Sequence, residues 1–111
     1  MANNKQAFAL GLAQKAGKLV SGDFAVKAAL KAGTVQLLVV AQDTAPNSKK
    51  ELCYLAAQAG VPVLELLTRW ELGSAIGKGQ RAAAAITDSN FASMLQGKEI
   101  PLCLVWRRMH E

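Results

Sequence analysis

Apolar positions along this chain change their spacing several times, and each change marks an element. Phe8, Leu10, Leu12, Ala13 and Ala16 recur at helical intervals and stop at Gly17, which predicts a first helix over 4–16. Leu19 and Val20 are too few for more than a strand stub. A second helix is predicted over 23–32, with Val26, Ala29 and Leu30 inward and Gly33 as its stop signal. On it Asp23, Lys27 and Lys31 fall at i, i+4 and i+8 and share a face. The run 36–41 is almost entirely aliphatic, as a strand covered on both faces requires.

The second half continues the alternation. A polar loop ends at Asn47 and Ser48, good helix-capping residues, and a third helix is predicted over 47–59 with Leu52, Leu55, Ala56 and Ala59 inward. The next strand spans 61–66. Thr68-Arg69-Trp70-Glu71 has the form of a capping box, so a short helix starts there and runs to about Ile76. Positions 77–80 form a glycine-rich loop, 81–87 a strand made mostly of alanine, and Asp88 or Ser89 caps a last helix through Leu95. Strands alternating with helices imply an α/β layered sandwich. Residues 1–96 read as one domain. Beyond a polar break lies a C-terminal extension, 97–111, whose run 100–106 is strongly apolar. That extension is open to three readings: an edge strand, a helical lid or a protein-binding tail.

Composition narrows the function classes. Hydrophobic residues make up 51% of the 111-residue chain but aromatics only 5%, so the core is expected to be close-packed helices on aliphatic strands. Thirteen Lys and Arg against eight Asp and Glu give a net charge of +5, which favours a polyanionic partner. Cys53 and Cys103 form no CxxC or Cys/His cluster, and His110 lies in the tail, so no metal site and no cofactor are expected. Cys53 falls on an apolar helix face and reads as core packing. The first residues are polar, and no apolar run reaches membrane-spanning length, which points to a cytoplasmic chain without a membrane partner.

Gly73-Ser74-Ala75-Ile76-Gly77-Lys78-Gly79 looks superficially like a phosphate-binding P-loop. Its glycines are one residue too close, Gly79 stands where Ser or Thr would hold magnesium, and the helix–strand order is reversed. No catalytic constellation appears either: the carboxylates are scattered, and Ser21, Ser48 and Ser74 lack a base. A binding role, not an enzyme, is the economical reading.

Two segments carry that role. Between Lys15 and Lys27, Gly17 can close the first helix in the left-handed region, and Gly22 can let a ligand approach the backbone. The free N–H groups of the helix that follows, beside Lys15, Lys18 and Lys27, make an anion site suited to RNA phosphate. An ordinary helix–turn–helix connection with solvated lysines fits the same residues. Phe24 is either exposed, where its ring stacks on a base, or folded into the core. In the second segment Lys78, Gln80 and Arg81 put two charges and an amide on a flexible turn, and Ala82 opens a run of small side chains that a base or backbone can approach closely. Ala83 to Ala85 read as helix-on-sheet packing.

Three blocks carry a family resemblance: Gly11-Leu12-Ala13-Gln14-Lys15-Ala16-Gly17-Lys18-Leu19-Val20-Ser21-Gly22, Glu71-Leu72-Gly73-Ser74-Ala75-Ile76-Gly77-Lys78, and Ala84-Ala85-Ile86-Thr87-Asp88. Over about 5–95 the chain resembles bacterial YlxQ-type proteins of the ribosomal protein L7Ae superfamily, which binds kink-turn RNA. The resemblance implies a three-layer α-β-α sandwich with a four-stranded mixed sheet. It also implies RNA contacts from the glycine-started second helix and the loop before the last strand. Typical kink-turn binders carry Asn and Glu there to read tandem G·A pairs, and a Lys further along. In this chain those places hold Phe24, Ala25 and Ala28, with Lys27 one residue early. Lys18 matches a basic position ahead of the glycine. The expected RNA-binding set is therefore Lys18, Gly22, Asp23, Phe24, Lys27, Lys78, Gln80, Arg81 and Ala82, with Asp23 capping the second helix. The expected ligand is structured RNA, in particular ribosomal RNA, with the ribosome or translation factors as partners. An alternative is a protein-interaction module of the translation machinery that docks through the apolar tail.

Overall fold

A computed structural model of the chain describes residues 4–96. Nine elements follow in order: α1 (Asn4–Lys15), β1 (Leu19–Ser21), α2 (Asp23–Ala32), β2 (Leu37–Val40), α3 (Pro46–Ala59), β3 (Val63–Glu65), α4 (Arg69–Ala75), β4 (Ala83–Ile86) and α5 (Ser89–Gln96). Every predicted element is present, though β2, β3 and β4 are shorter than their apolar runs. The extra apolar residues, such as Ala41, Val61 and Leu66, remain buried in the flanking turns.

The strands form one mixed sheet in the order β1-β4-β2-β3. β4 runs antiparallel to both neighbours, with Val20 opposite Ala85 and Leu38 opposite Ala85, while β2 and β3 are parallel, with Val39 beside Leu64. Side chains alternate across the pleat, so each strand feeds two cores. Leu37, Val39, Ala84 and Ile86 pack with α1, α4 and α5. Leu38, Val40, Ala83 and Ala85 pack with Val26 and Leu30 of α2 and with Leu52, Cys53 and Ala56 of α3. The result is the expected three-layer α-β-α sandwich. The alanines of β4 are fully buried as helix-on-sheet packing.

Three local expectations are corrected. The inward stripe of α1 is Ala9, Leu10 and Ala13, whereas Phe8 is 67% exposed and Leu12 lies at the surface. On another side of the helix α1 approaches α4 closely: a Cβ on Gly11 would sit 3.0 Å from the Ala75 carbonyl oxygen. The third helix starts at Pro46, not at an Asn47 or Ser48 cap, and Ala45 precedes it without a side-chain hydrogen bond. Proline suits that first position because its missing N–H has no intrahelical partner there. Within α3, Leu55 is half-buried and Ala59 exposed. The caps of α4 and α5 form as read: Thr68 and Glu71 make a reciprocal capping box, and Asp88 Oδ1 accepts from the Asn90 N–H at 2.7 Å. No helix among the described residues is long and apolar enough to cross a membrane. The boundary at 96 and 97, the apolar run 100–106, Cys103 and His110 lie outside the described residues.

Candidate nucleic-acid interface

Topology gathers one set of loops at one end of the sheet. β1, β2 and β3 finish there and β4 starts there, since Ser21 lies opposite Ala84 and Val40 opposite Ala83. The same end therefore holds the starts of α2, α3 and α4 and the loop 77–82. The first segment singled out in the sequence meets the strand into which the second leads: the Gly22 N–H donates to the carbonyl of Ala83, one residue past Ala82, at 3.4 Å.

The start of α2 is open. Gly22 occupies the N-cap with φ 96° and ψ 144°, and no side chain caps the helix. Glycine is needed for that φ, which L side chains rarely adopt. A Cβ at Gly22 would meet nothing within 4 Å, so the space in front of the turn is free for a ligand. The first N–H groups of an α-helix have no intrahelical acceptor, and their dipoles favour an anion. Phe24 stands in this first turn at 87% exposure, which decides between its two readings in favour of the surface.

Asp23 does not cap α2. It lies inside the helix and pairs forward with Lys27, Oδ2 to Nζ at 3.1 Å. Lys27 Nζ also donates to Glu51 Oε1 of α3 at 2.7 Å. Hydrogen bonds to Glu51, and then to Asp23, raise the Lys27 pKa above the ordinary lysine value. The charged form is thus favoured in the fold, and its contribution is fully present below the ordinary lysine pKa and lost as pH rises through the raised one. The charge of Lys27 is already shared by two carboxylates. Replacing Lys27 with methionine is expected to leave the salt slope of RNA binding nearly unchanged. Lys78→Met should lower that slope by about one contact's worth, which a salt titration of each variant measures.

Lys18 is not gathered with the others. Its carbonyl accepts from the Thr87 N–H at the opposite end of β1, four residues before Gly22. At about 3.3 Å per residue the strand separates the two by roughly 13 Å. Lys15, at the end of α1, shares that far end.

The loop 77–82 is laid along α4. The Lys78 N–H donates to Gly73 O at 2.8 Å and the Arg81 N–H to Arg69 O at 3.1 Å. Gly73 is the contact point: a Cβ there would come within 2.0 Å of Gly79 O. Lys78, Gly79 and Gln80 are exposed, and Arg81 and Ala82 half-buried. The Arg81 guanidinium donates to the carbonyls of Gly79, at 3.5 Å, and Gln80, at 3.0 Å. Among the described residues neither Lys78 nor Arg81 has a carboxylate partner, so neither charge is neutralised by an acidic side chain there.

Several supporting residues escaped the sequence reading. Thr44 is buried and donates its hydroxyl to Ala82 O at 3.0 Å, fixing the start of β4. Asp43 Oδ1 accepts the Arg69 N–H at 2.8 Å, and Asp43 Oδ2 lies 3.6 Å from Arg69 Nε. Leu67 takes φ 61° between β3 and α4, and its carbonyl accepts from the Gln42 N–H at 2.7 Å. Lys49 pairs with Glu65. These contacts link residues 16 to 38 positions apart, and no local pattern announces them. The α4 start is consequently satisfied by Asp43 and Thr68, while the α2 start has no such side-chain cap.

Comparison with known proteins identifies the family. Residues 5–96 match the model of the ribosomal protein L7Ae/L30e/S12e/Gadd45 family. The chain is 34% identical over 86 residues to the RNA-binding protein YlxQ of Bacillus subtilis, covering 78% of this chain and 86% of that protein. It is 30% identical over 73 residues to the large ribosomal subunit protein eL30 of Aeropyrum pernix, covering 64% of this chain and 73% of the relative. Among solved structures, a protein with unknown function from Bacillus halodurans superposes with a TM-score of 0.78 at 31% identity, covering 85% of this chain and 99% of the other.

Proposed function

The chain belongs to the ribosomal protein L7Ae/L30e/S12e/Gadd45 family as a YlxQ-type member, and on that premise we propose that it binds structured RNA without catalysing a reaction. The observation that carries this reading is the contact of Gly22 with Ala83. An open helix start, able to accept phosphate, then neighbours a loop whose two cations have no carboxylate partner among the described residues. Gly22, Asp23, Phe24, Lys78, Gln80, Arg81 and Ala82 form the proposed contact surface, with Lys27 holding Asp23 in place. Lys18 lies too far along β1 to share one phosphate site with Gly22 and serves at most a distant contact.

The ligand class follows from what the surface lacks. Phe24 and Ala25 stand where the kink-turn proteins of this superfamily carry Asn and Glu, so the polar readers of G·A pairs are absent. Phosphate contacts supply affinity but no direct sequence information. The protein is thus a backbone-dominated binder of folded RNA, with ribosomal RNA in the bacterial cytoplasm as the proposed target. RNA binding, rather than docking through the C-terminal tail, is favoured because the charged surface lies within 4–96. Filter binding of the full chain to ribosomal RNA fragments at low salt tests this, and no retention of any fragment overturns it. Phe24→Ala should weaken binding about tenfold, in line with the loss of one base–aromatic stack. Its thermal melt should be unchanged because Phe24 is exposed.

A further inference from the structure

Taking that RNA-binding reading as its basis, we propose that Trp70 is a second base-stacking surface. The preferred ligand is then an RNA offering an unpaired base in a bulge or internal loop, rather than a continuous duplex. Trp70 is the second residue of α4 and is 66% exposed, although its indole is among the largest apolar side chains available to a core.

Its position on the helix indicates what it faces. Trp70, Gly73 and Gly77 are spaced i, i+3 and i+7, so they share one edge of α4 and its exit. That edge is where the loop 77–82 lies: Gly79 O packs on Gly73, and the loop is bonded to α4 through Gly73 O and Arg69 O. Ala75, whose carbonyl faces Gly11 of α1, is five residues on and about 140° away around the helix. Trp70 therefore stands on the flank of Lys78 and Arg81, away from α1. Helical side chains also lean toward the helix start, which carries the indole toward the end of the domain that holds Gly22 and Phe24.

The surrounding charge selects the partner. Lys78 and Arg81 have no carboxylate partner among the described residues, and an aromatic face beside free cations complements a nucleic acid strand. In a continuous duplex both faces of each internal base are already stacked. An unpaired base leaves a face for the indole. With Phe24 beside Gly22 and Trp70 beside the loop, two aromatic surfaces flank the cationic strip.

The full chain would be titrated against a hairpin RNA with a short bulge carrying 2-aminopurine, and against the same hairpin without the bulge. W70A should bind the bulged hairpin roughly tenfold more weakly and the unbulged one unchanged. W70F should retain most of the preference. The 2-aminopurine fluorescence should be quenched by the parent protein and by W70F but not by W70A. A circular dichroism melt of each variant shows that the fold is kept. Equal losses on both hairpins, or no loss on the bulged one, overturn the role of Trp70 while leaving RNA binding intact. Failure of the parent protein to bind either hairpin overturns the RNA reading and this proposal together.

Discussion

Reversing the two cations of the loop before β4, K78E together with R81E, is expected to weaken RNA binding about a hundredfold at low salt and to flatten its salt dependence by roughly two phosphate contacts. The physical basis is that neither charge is neutralised internally among the described residues, so each is available to phosphate. Among the described residues Lys78 makes no side-chain hydrogen bond, and the Arg81 guanidinium bonds only to the carbonyls of its own loop. The fold should not change, since the loop is held by backbone contacts to Gly73 and Arg69. A salt titration of the double variant beside the parent measures both effects. Parent-like affinity with a parent-like slope would remove this loop from the interface.

A second large effect is expected at Gly73, a buried residue with no charge. An alanine there places a methyl 2.0 Å from Gly79 O and 2.7 Å from its carbonyl carbon. Backbone lies on both sides of that contact, so the loop must move. Overpacking of this kind costs about 1–3 kcal/mol, which for a domain of this size lowers the Tm by roughly 5–15 °C. Displacing the loop also shifts Lys78 and Arg81 relative to Gly22, so RNA affinity should fall even at temperatures where G73A is folded. Thermal melts and binding isotherms of the same preparation separate the two losses. An unchanged Tm together with unchanged affinity would show that the loop is not held as described.

The glycine that resembles part of a P-loop thus has a packing role, and it illustrates what the sequence discloses. Patterns set by one element were legible. The aliphatic run of β2 is buried on both faces, and the alanines of β4 lie between two helix layers. The Thr68–Glu71 capping box spans only four residues and forms as spelled. Of the α1 positions read as periodic, Leu10 and Ala13 enter the core, joined by Ala9, whereas Phe8, Leu12 and Ala16, at i, i+4 and i+8, lie at the surface. Both stripes have helical spacing, so periodicity alone does not choose between them.

The candidate site shows the same division. Gly22, Phe24 and the 77–82 loop were visible as local signals, and the sheet register joins them. Lys18 is near Gly22 in sequence but at the other end of β1, because an extended strand separates residues fastest. The pairing of Lys27 with Asp23 could be anticipated from i, i+4 spacing. Its bond to Glu51, 24 residues on, depends on α2 lying beside α3. Asp43, Thr44 and Leu67 support the loops through contacts that exist only once the sheet is built.

The most direct test of the central claim is binding of the full chain, across a salt series, to a kink-turn RNA and to the same RNA with its G·A pairs replaced by Watson–Crick pairs and the bulge retained. A backbone-dominated interface should bind both with similar affinity, and both should weaken steeply with salt. Salt-insensitive binding, or a preference for the G·A pairs of a hundredfold or more, would contradict it.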